Sequence, residues 1–119
     1  MSVKLNIRKV REFEARIKEN YEGVIFELMV TRSLLLANAI ELTWIIVQNR
    51  KQGIGTSIMR ELCEFADRHS AEIRLEPASK GDYAATTSRA RLIRFYRRFG
   101  FLTDKGESVG VTMIRKPVV

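Results

Sequence analysis

The sequence predicts a single mixed α/β domain spanning residues 1–119, and three patterns predict it. Apolar residues recur at helical spacing in three separate segments. Between those segments lie runs rich in Val, Ile, Leu, Phe and Trp, divided by short polar breaks. One such run leads through a polar, glycine-bearing turn straight into a helical segment. Only Pro77 and Pro117 occur, and no repeat or low-complexity tract reads as a linker.

In order, Val3, Leu5 and Ile7 alternate with polar residues and predict a short edge strand. Arg8–Asn20 places Val10, Phe13 and Ile17 on one side and predicts a helix closed by Asn20 and Gly23. Val24–Val30, Ser33–Ala37 and Ile40–Val47 read as strands, with breaks short enough for antiparallel hairpins. After the turn at Asn49–Gly55, the stripe Ile58, Leu62, Phe65 and Ala66 predicts a helix ending near His69–Ser70. Ile73 and Leu75 suggest a strand stopped by Pro77. Ala78–Thr87 is a loop of small and polar residues, and Ser88–Phe99 a helix with Gly100 as its C-terminal stop. Phe101–Leu102 and Val109–Arg115 complete the sheet as a strand pair.

With 119 residues, 45% of them hydrophobic and 29% charged, the chain can bury one ordinary core without a disulfide or metal staple. Its longest apolar runs are too short to span a bilayer, and Met1–Val10 has no signal-peptide h-region, so a cytoplasmic location is expected. Cys63 is the sole cysteine and falls inside a helical stripe, which predicts a buried, inert thiol. One cysteine and one histidine, His69, do not build a zinc site, so no metal is expected. The net charge of +7 suits an anionic partner: nucleic acid, an acidic protein or a phosphorylated cofactor.

The stretch from Val47 to Ser57 carries the most chemistry. Glycines at alternate positions let the backbone approach an anion without a Cβ in the way. The first amides of the following helix lack intrahelical partners and stand at the positive end of its dipole. Strand, turn and helix together suit a phosphate or pyrophosphate, with Arg50 and Lys51 adding charge and Thr56 and Ser57 adding hydroxyl donors. The dinucleotide fingerprint fails because Ile58 stands where its third glycine belongs, and the turn lacks the Gly-Lys-Ser/Thr of a P-loop. A glycine-capped turn that binds nothing is the alternative.

Arg50-Lys51-Gln52-Gly53-Ile54-Gly55 resembles the Gln/Arg-x-x-Gly-x-Gly/Ala signature of the GNAT superfamily of acyl-CoA-dependent N-acyltransferases. Downstream, Leu92–Phe101, with Phe95-Tyr96 and Gly100-Phe101, is similar to that superfamily's other motif, in the same order and at the usual separation. The resemblance covers the chain from Val24 onward. It implies an α+β fold with a mixed, mainly antiparallel sheet, splayed central parallel strands and flanking helices. It also implies acetyl-CoA as co-substrate, with the pyrophosphate on the amides of Gln52, Gly53, Ile54, Gly55 and Thr56. The pantetheine arm would lie between Ile40–Val47 and Ile73–Leu75, hydrogen-bonded to the backbone of Ile45, Ile46 and Val47.

Tyr96 takes the place of the family's acid, which protonates the departing sulfur; packing beside Leu92 and Phe99 is its other role. As base the family offers a glutamate on the central strand, here Glu41. Simple alternation puts it on one face with Thr43 and Ile45, and a carboxylate on an otherwise apolar strand is tuned to accept a proton. An ordinary solvated carboxylate is the other reading of Glu41, and Glu27 is the competing base. Two departures stand out: one helix before Val24 where the family commonly has two, and Arg89 where asparagine is frequent.

Arg91, Arg94 and Arg98 share a helical face, which is either a solvated surface or a dock for an acidic protein, nucleic acid or the CoA 3′-phosphate. The expected activity is acetyl transfer to a primary amine, on a protein lysine or a small molecule. Small family members include antibiotic, polyamine and protein acetyltransferases and phage-encoded enzymes that modify a host defence protein. A catalytically silent binding module is the alternative. The sequence does not name the oligomeric state; a dimer is compatible with it.

Overall fold

Asn6 opens the first helix. Its side-chain Oδ1 accepts from the Lys9 N–H at 2.9 Å, satisfying one of the donors a helix leaves unpaired at its start. The resulting α1 (Ile7–Asn20) begins where the sequence suggested an edge strand. Leu5 is buried outside any strand, and Val3 lies outside the described residues. Local capping outweighs an alternation of three residues, which has no partner strand to reward it. The computed structural model describes residues 5–31, 39–46, 53–77, 89–103 and 112–118.

The helix ends at Tyr21, whose N–H donates to Ile17 O, and Gly23 takes φ +79° to turn the chain back. Val10, Phe13 and Ile17 are buried as their spacing requires, each contributing about 1.5–3 kcal/mol by leaving water. Then come β1 (Ile25–Thr31), β2 (Ala39–Ile46), α2 (Ile54–Arg68), β3 (Glu72–Leu75), α3 (Arg89–Arg97), β4 (Leu102–Thr103) and β5 (Met113–Arg115). The expected strand at 33–37 and the loop at 78–87 fall outside the described residues.

The strands form one five-stranded sheet in the order β1-β2-β3-β5-β4, parallel between β2 and β3 and antiparallel elsewhere. This is the mixed, mainly antiparallel sheet with a central parallel pair that was expected. Phe26 and Leu28 of β1 share a face with Ile40, Leu42 and Ile45 of β2. That face carries the core. Phe13 of α1 meets Phe26 edge-on at 6.0 Å and stacks on Phe65 of α2 at 4.5 Å, so both helices pack on the same side. The Tyr21 hydroxyl, donating to Glu61 at 2.5 Å, ties the end of α1 to α2. The opposite face of β1 leaves Ile25 and Met29 about half exposed (47% and 51%).

The ladder between β1 and β2 is interrupted once. Glu27 pairs with Trp44 and Leu28 with Leu42, so Thr43 has no residue opposite it. Such a bulge bends its strand and re-aims the side chains beyond it. The parallel ladder from β2 to β3 stops at the same place: its last pair is Leu42–Leu75, while β2 runs on to Ile46. On β3 the chain passes through Glu76 to Pro77, which has no N–H to extend a ladder. The parallel ladder therefore ends at Leu42, while β2 continues to Ile46.

Candidate functional site

The N-terminus of α2 stands on Gly53, which adopts φ 67° and ψ 21°. A side chain there would be strained by backbone conformation alone, although a Cβ would meet nothing within 4 Å among the described residues. The N-cap position is thus glycine, open in front, and offers the first-turn amides no side-chain acceptor. Its carbonyl accepts the first helical bond, from Ser57 N at 3.0 Å. No acidic residue occupies the first turn, so the positive end of the dipole is not neutralised from within the helix. Ile54 packs against the core and fixes the direction of this end. Gly55 and Thr56 are half-buried and Ser57 exposed. Val47, Arg50, Lys51 and Gln52 lie outside the described residues.

Among the described residues the ladder to β3 ends at Leu42, so no β3 residue pairs with the backbone of Thr43–Ile46. A strand edge of this kind can take an added extended strand. Ile45 and Ile46, both half-buried, belong to it. Ile45 faces the core while Ile46, paired with Ile25, faces the other way.

Tyr96 is 7% exposed and sits on α3 between Phe95 and Phe101, with ring centroids at 5.4 and 5.8 Å, both edge-on. Burial pushes its phenol up to about 12. It therefore keeps its proton across the neutral range, as an acid must. The ring packs, and the phenol keeps its proton. Gly100, at φ +94°, turns the chain after the helix so that Phe101 can lie under the tyrosine.

Glu41 departs from expectation. The bulge at Thr43 breaks simple alternation, so Glu41 shares its face with Trp44 and Ile46 rather than with Thr43 and Ile45. It is exposed and lies opposite Met29. Glu27, opposite Trp44, is exposed on the same face.

Three features escaped the sequence. Glu14, 5% exposed in the middle of α1, accepts from Leu28 N at 2.7 Å, and Arg11 donates both to Glu14 and to Leu28 O at 3.0 Å. These two side chains occupy both backbone polar groups of Leu28 at the register shift. Arg115 reaches from β5 to hold Asp67 of α2 with two bonds of 2.8 and 3.1 Å, and donates to Phe99 O. The third is the orphaned hydroxyl of Thr43, whose Oγ1 is buried without a partner among the described residues. A charged residue on an apolar helix face was the available signal for Glu14; nothing local signals the others.

A cleft of about 320 Å³ lined by Lys9, Glu12, Phe13, Arg16, Phe65, Arg68 and His69 opens between α1 and the far end of α2. At 1.5 Å per residue it is roughly 20 Å along the helix from Gly53, so it is not part of this site. Cys63 is buried, and burial raises its thiol, which makes it the inert cysteine expected. Arg91, Arg94 and Arg98 are exposed, with the Arg98 guanidinium 5.9 Å from the Phe95 ring. Among the described residues no His/Cys/Asp/Glu group could hold a metal, and no helix is long and apolar enough to cross a membrane.

No protein-family model matches the chain, and no curated protein does. Among solved structures it is similar to the anti-CRISPR protein AcrVA5, with 21% identity over 77% of this chain and 88% of that one and a TM-score of 0.61. A likeness at that identity speaks for the fold and for nothing more.

Proposed function

We propose that this chain is a GNAT-type N-acetyltransferase that moves the acetyl group of acetyl-CoA to a primary amine, a protein lysine or a small molecule, by direct attack in a ternary complex. The observation that carries the reading is the start of α2. A left-handed glycine without a capping side chain, preceded in sequence by Arg50-Lys51-Gln52, prepares the first-turn amides for an anion. The end of the β2–β3 ladder at Leu42 and the protonated phenol of Tyr96 support the reading.

Acetyl-CoA when bound supplies an activated thioester. The chain's own groups then have separate tasks. The amides of Gln52–Thr56, with Arg50 and Lys51 beside them, hold the pyrophosphate. The β2 backbone at Ile45–Val47 orients the arm as an added strand. Tyr96 gives its proton to the departing sulfur. Glu41 takes the proton of the attacking amine, directly or through water; Glu27 on the same face is its competitor. A cytoplasmic location follows from the need for acetyl-CoA.

Calorimetry with acetyl-CoA tests the reading, and an absence of both heat and thermal shift rejects it. Tyr96→Phe is expected to keep CoA affinity while turnover falls about 100-fold or more. Equal turnover removes Tyr96 from the mechanism. The acceptor is sought by mass spectrometry of lysate proteins after incubation with labelled acetyl-CoA. Because the chain shares its fold with an anti-CRISPR protein, a CRISPR effector belongs among the proteins offered. The exposed arginines of α3 favour a second reading, a silent module binding an acidic protein or nucleic acid, for which a mobility shift at two salt concentrations is the test.

A further inference from the structure

Three observations meet at Thr43. It is the extra residue of the β2 bulge, with nothing opposite it on β1. It is the first residue of β2 beyond the last parallel pair with β3, Leu42–Leu75. Its Oγ1 is buried and has no hydrogen-bond partner among the described residues. The first two are backbone facts and the third concerns a side chain, so they are independent of one another.

A buried hydroxyl has lost its water and normally regains the bond inside the protein. Thr43 loses the water without that return. Bulges commonly sit beside binding sites, where they re-aim one side chain. This one sits where the parallel ladder with β3 ends. An extended ligand entering there would bring amide groups, and its carbonyl oxygens are acceptors for a hydroxyl.

We propose that Thr43 is a ligand-binding residue whose hydroxyl donates a hydrogen bond to a carbonyl oxygen of the acyl-pantetheine arm at the point where β2 leaves β3. The proposal rests on the acetyltransferase reading above and adds a residue to it that the family signature does not contain. Thr43 orients the arm; it is a positioning residue with no share in proton transfer.

The test compares wild type, Thr43→Val and Thr43→Ser by calorimetry with coenzyme A and with acetyl-CoA, and by melting without ligand. Valine keeps the shape and removes the hydroxyl. Thr43→Val is expected to bind about fivefold to tenfold more weakly. Thr43→Ser, which retains the donor, should stay within about twofold of wild type. A loss seen equally with both ligands assigns the bond to an amide of the arm, and a loss confined to acetyl-CoA assigns it to the thioester carbonyl; either supports the proposal. Unchanged affinity in Thr43→Val overturns it and leaves the hydroxyl to water. Without ligand, Thr43→Val should melt at or above the wild-type temperature, because an unmet polar group has been removed. A melting point several degrees lower would mean that the protein already satisfies the hydroxyl, which also overturns the proposal. Wild type that binds neither ligand defeats the acetyltransferase reading itself. The melting comparison would still report whether the hydroxyl was orphaned, so the two failures remain distinguishable.

Discussion

At its C-terminal end α2 runs into Ser70, whose φ of +52° lets Ser70 N and Ala71 N bond back to Asp67 O and Ala66 O, at 3.1 and 2.8 Å. This is a Schellman closure. Asp67 then accepts from Arg115 and from Val118 N at 2.9 Å, joining helix, β5 and the C-terminal segment. At its N-terminal end the same helix begins on Gly53 with no side-chain cap and no acid in the first turn. Both ends use a left-handed residue, but the C-terminal end is closed by hydrogen bonds within the protein, whereas the N-terminal end has no side-chain cap. The difference teaches where to look for function: an end closed by the chain's own atoms is structural, and an uncapped end is the candidate for an anion.

The largest effect should come from opening the closed end. Arg115→Met removes one partner of an ion pair in which the arginine is 8% and the aspartate 28% exposed, and it leaves Phe99 O without its donor. A loss of about 3 kcal/mol is expected, or roughly 12 °C in melting temperature for a chain of this size. Affinity for acetyl-CoA should not change below that temperature; a parallel loss of affinity would erase the distinction between the ends.

Closing the open end should do the reverse. Gly53→Val forces a β-branched residue into the left-handed region at about 1–2 kcal/mol, while its Cβ meets nothing within 4 Å among the described residues. Acetyl-CoA binding is expected to weaken about 30-fold or more, beyond what the melting point explains, because the added atoms stand where an anion must approach. Calorimetry and a thermal melt on one sample decide it. Equal affinity in Gly53→Val would mean that no ligand comes to this turn.

Acid should act on the closed end. Burial works to raise the Asp67 carboxyl, but the Arg115 hydrogen bonds, the Val118 N–H and the arginine's charge together hold it below its ordinary value. A carboxyl depressed in the folded state adds stability that is complete above its unfolded value of about 3.9 and fades as pH falls through the lower folded one. Asp67→Asn should therefore flatten the decline in melting temperature below about pH 4. An unchanged acid slope would assign that decline to other carboxylates.

The smallest effect is a gain. Ser70→Gly relieves a side chain held in the left-handed region and should raise stability by about 0.5–1 kcal/mol, read as a few degrees in the melt. A loss would mean that the Ser70 side chain contributes more than its strain costs.

Much of this molecule is legible from local pattern. The stripe Ile58, Leu62, Phe65 and Ala66 is buried as its spacing requires, and Gly53 and Gly100 take the left-handed conformations their positions suggested. Those readings succeed because helical periodicity and glycine's freedom act within a few residues. The expected edge strand fails at Leu5 and Ile7, the part of it within the described residues, because Asn6 offers a cap that alternation does not reveal. The face expected for Glu41, shared with Thr43 and Ile45, fails for a different reason: a bulge is a property of two strands, and one residue of slippage exchanges the faces of everything beyond it.

The sequence by itself therefore determined the mixed architecture, the helix that starts on Gly53, the buried stripe behind it and the tyrosine in front of Phe101. All are set by neighbours in the chain, where spacing and backbone freedom are enough. Only the tertiary structure decided that Arg115 would find Asp67, that Glu14 and Arg11 would serve Leu28, and that the Thr43 hydroxyl would be buried without a partner among the described residues where the parallel ladder ends. Each of these depends on register and on partners brought together by the closing of the sheet, and no single stretch of sequence encodes a register.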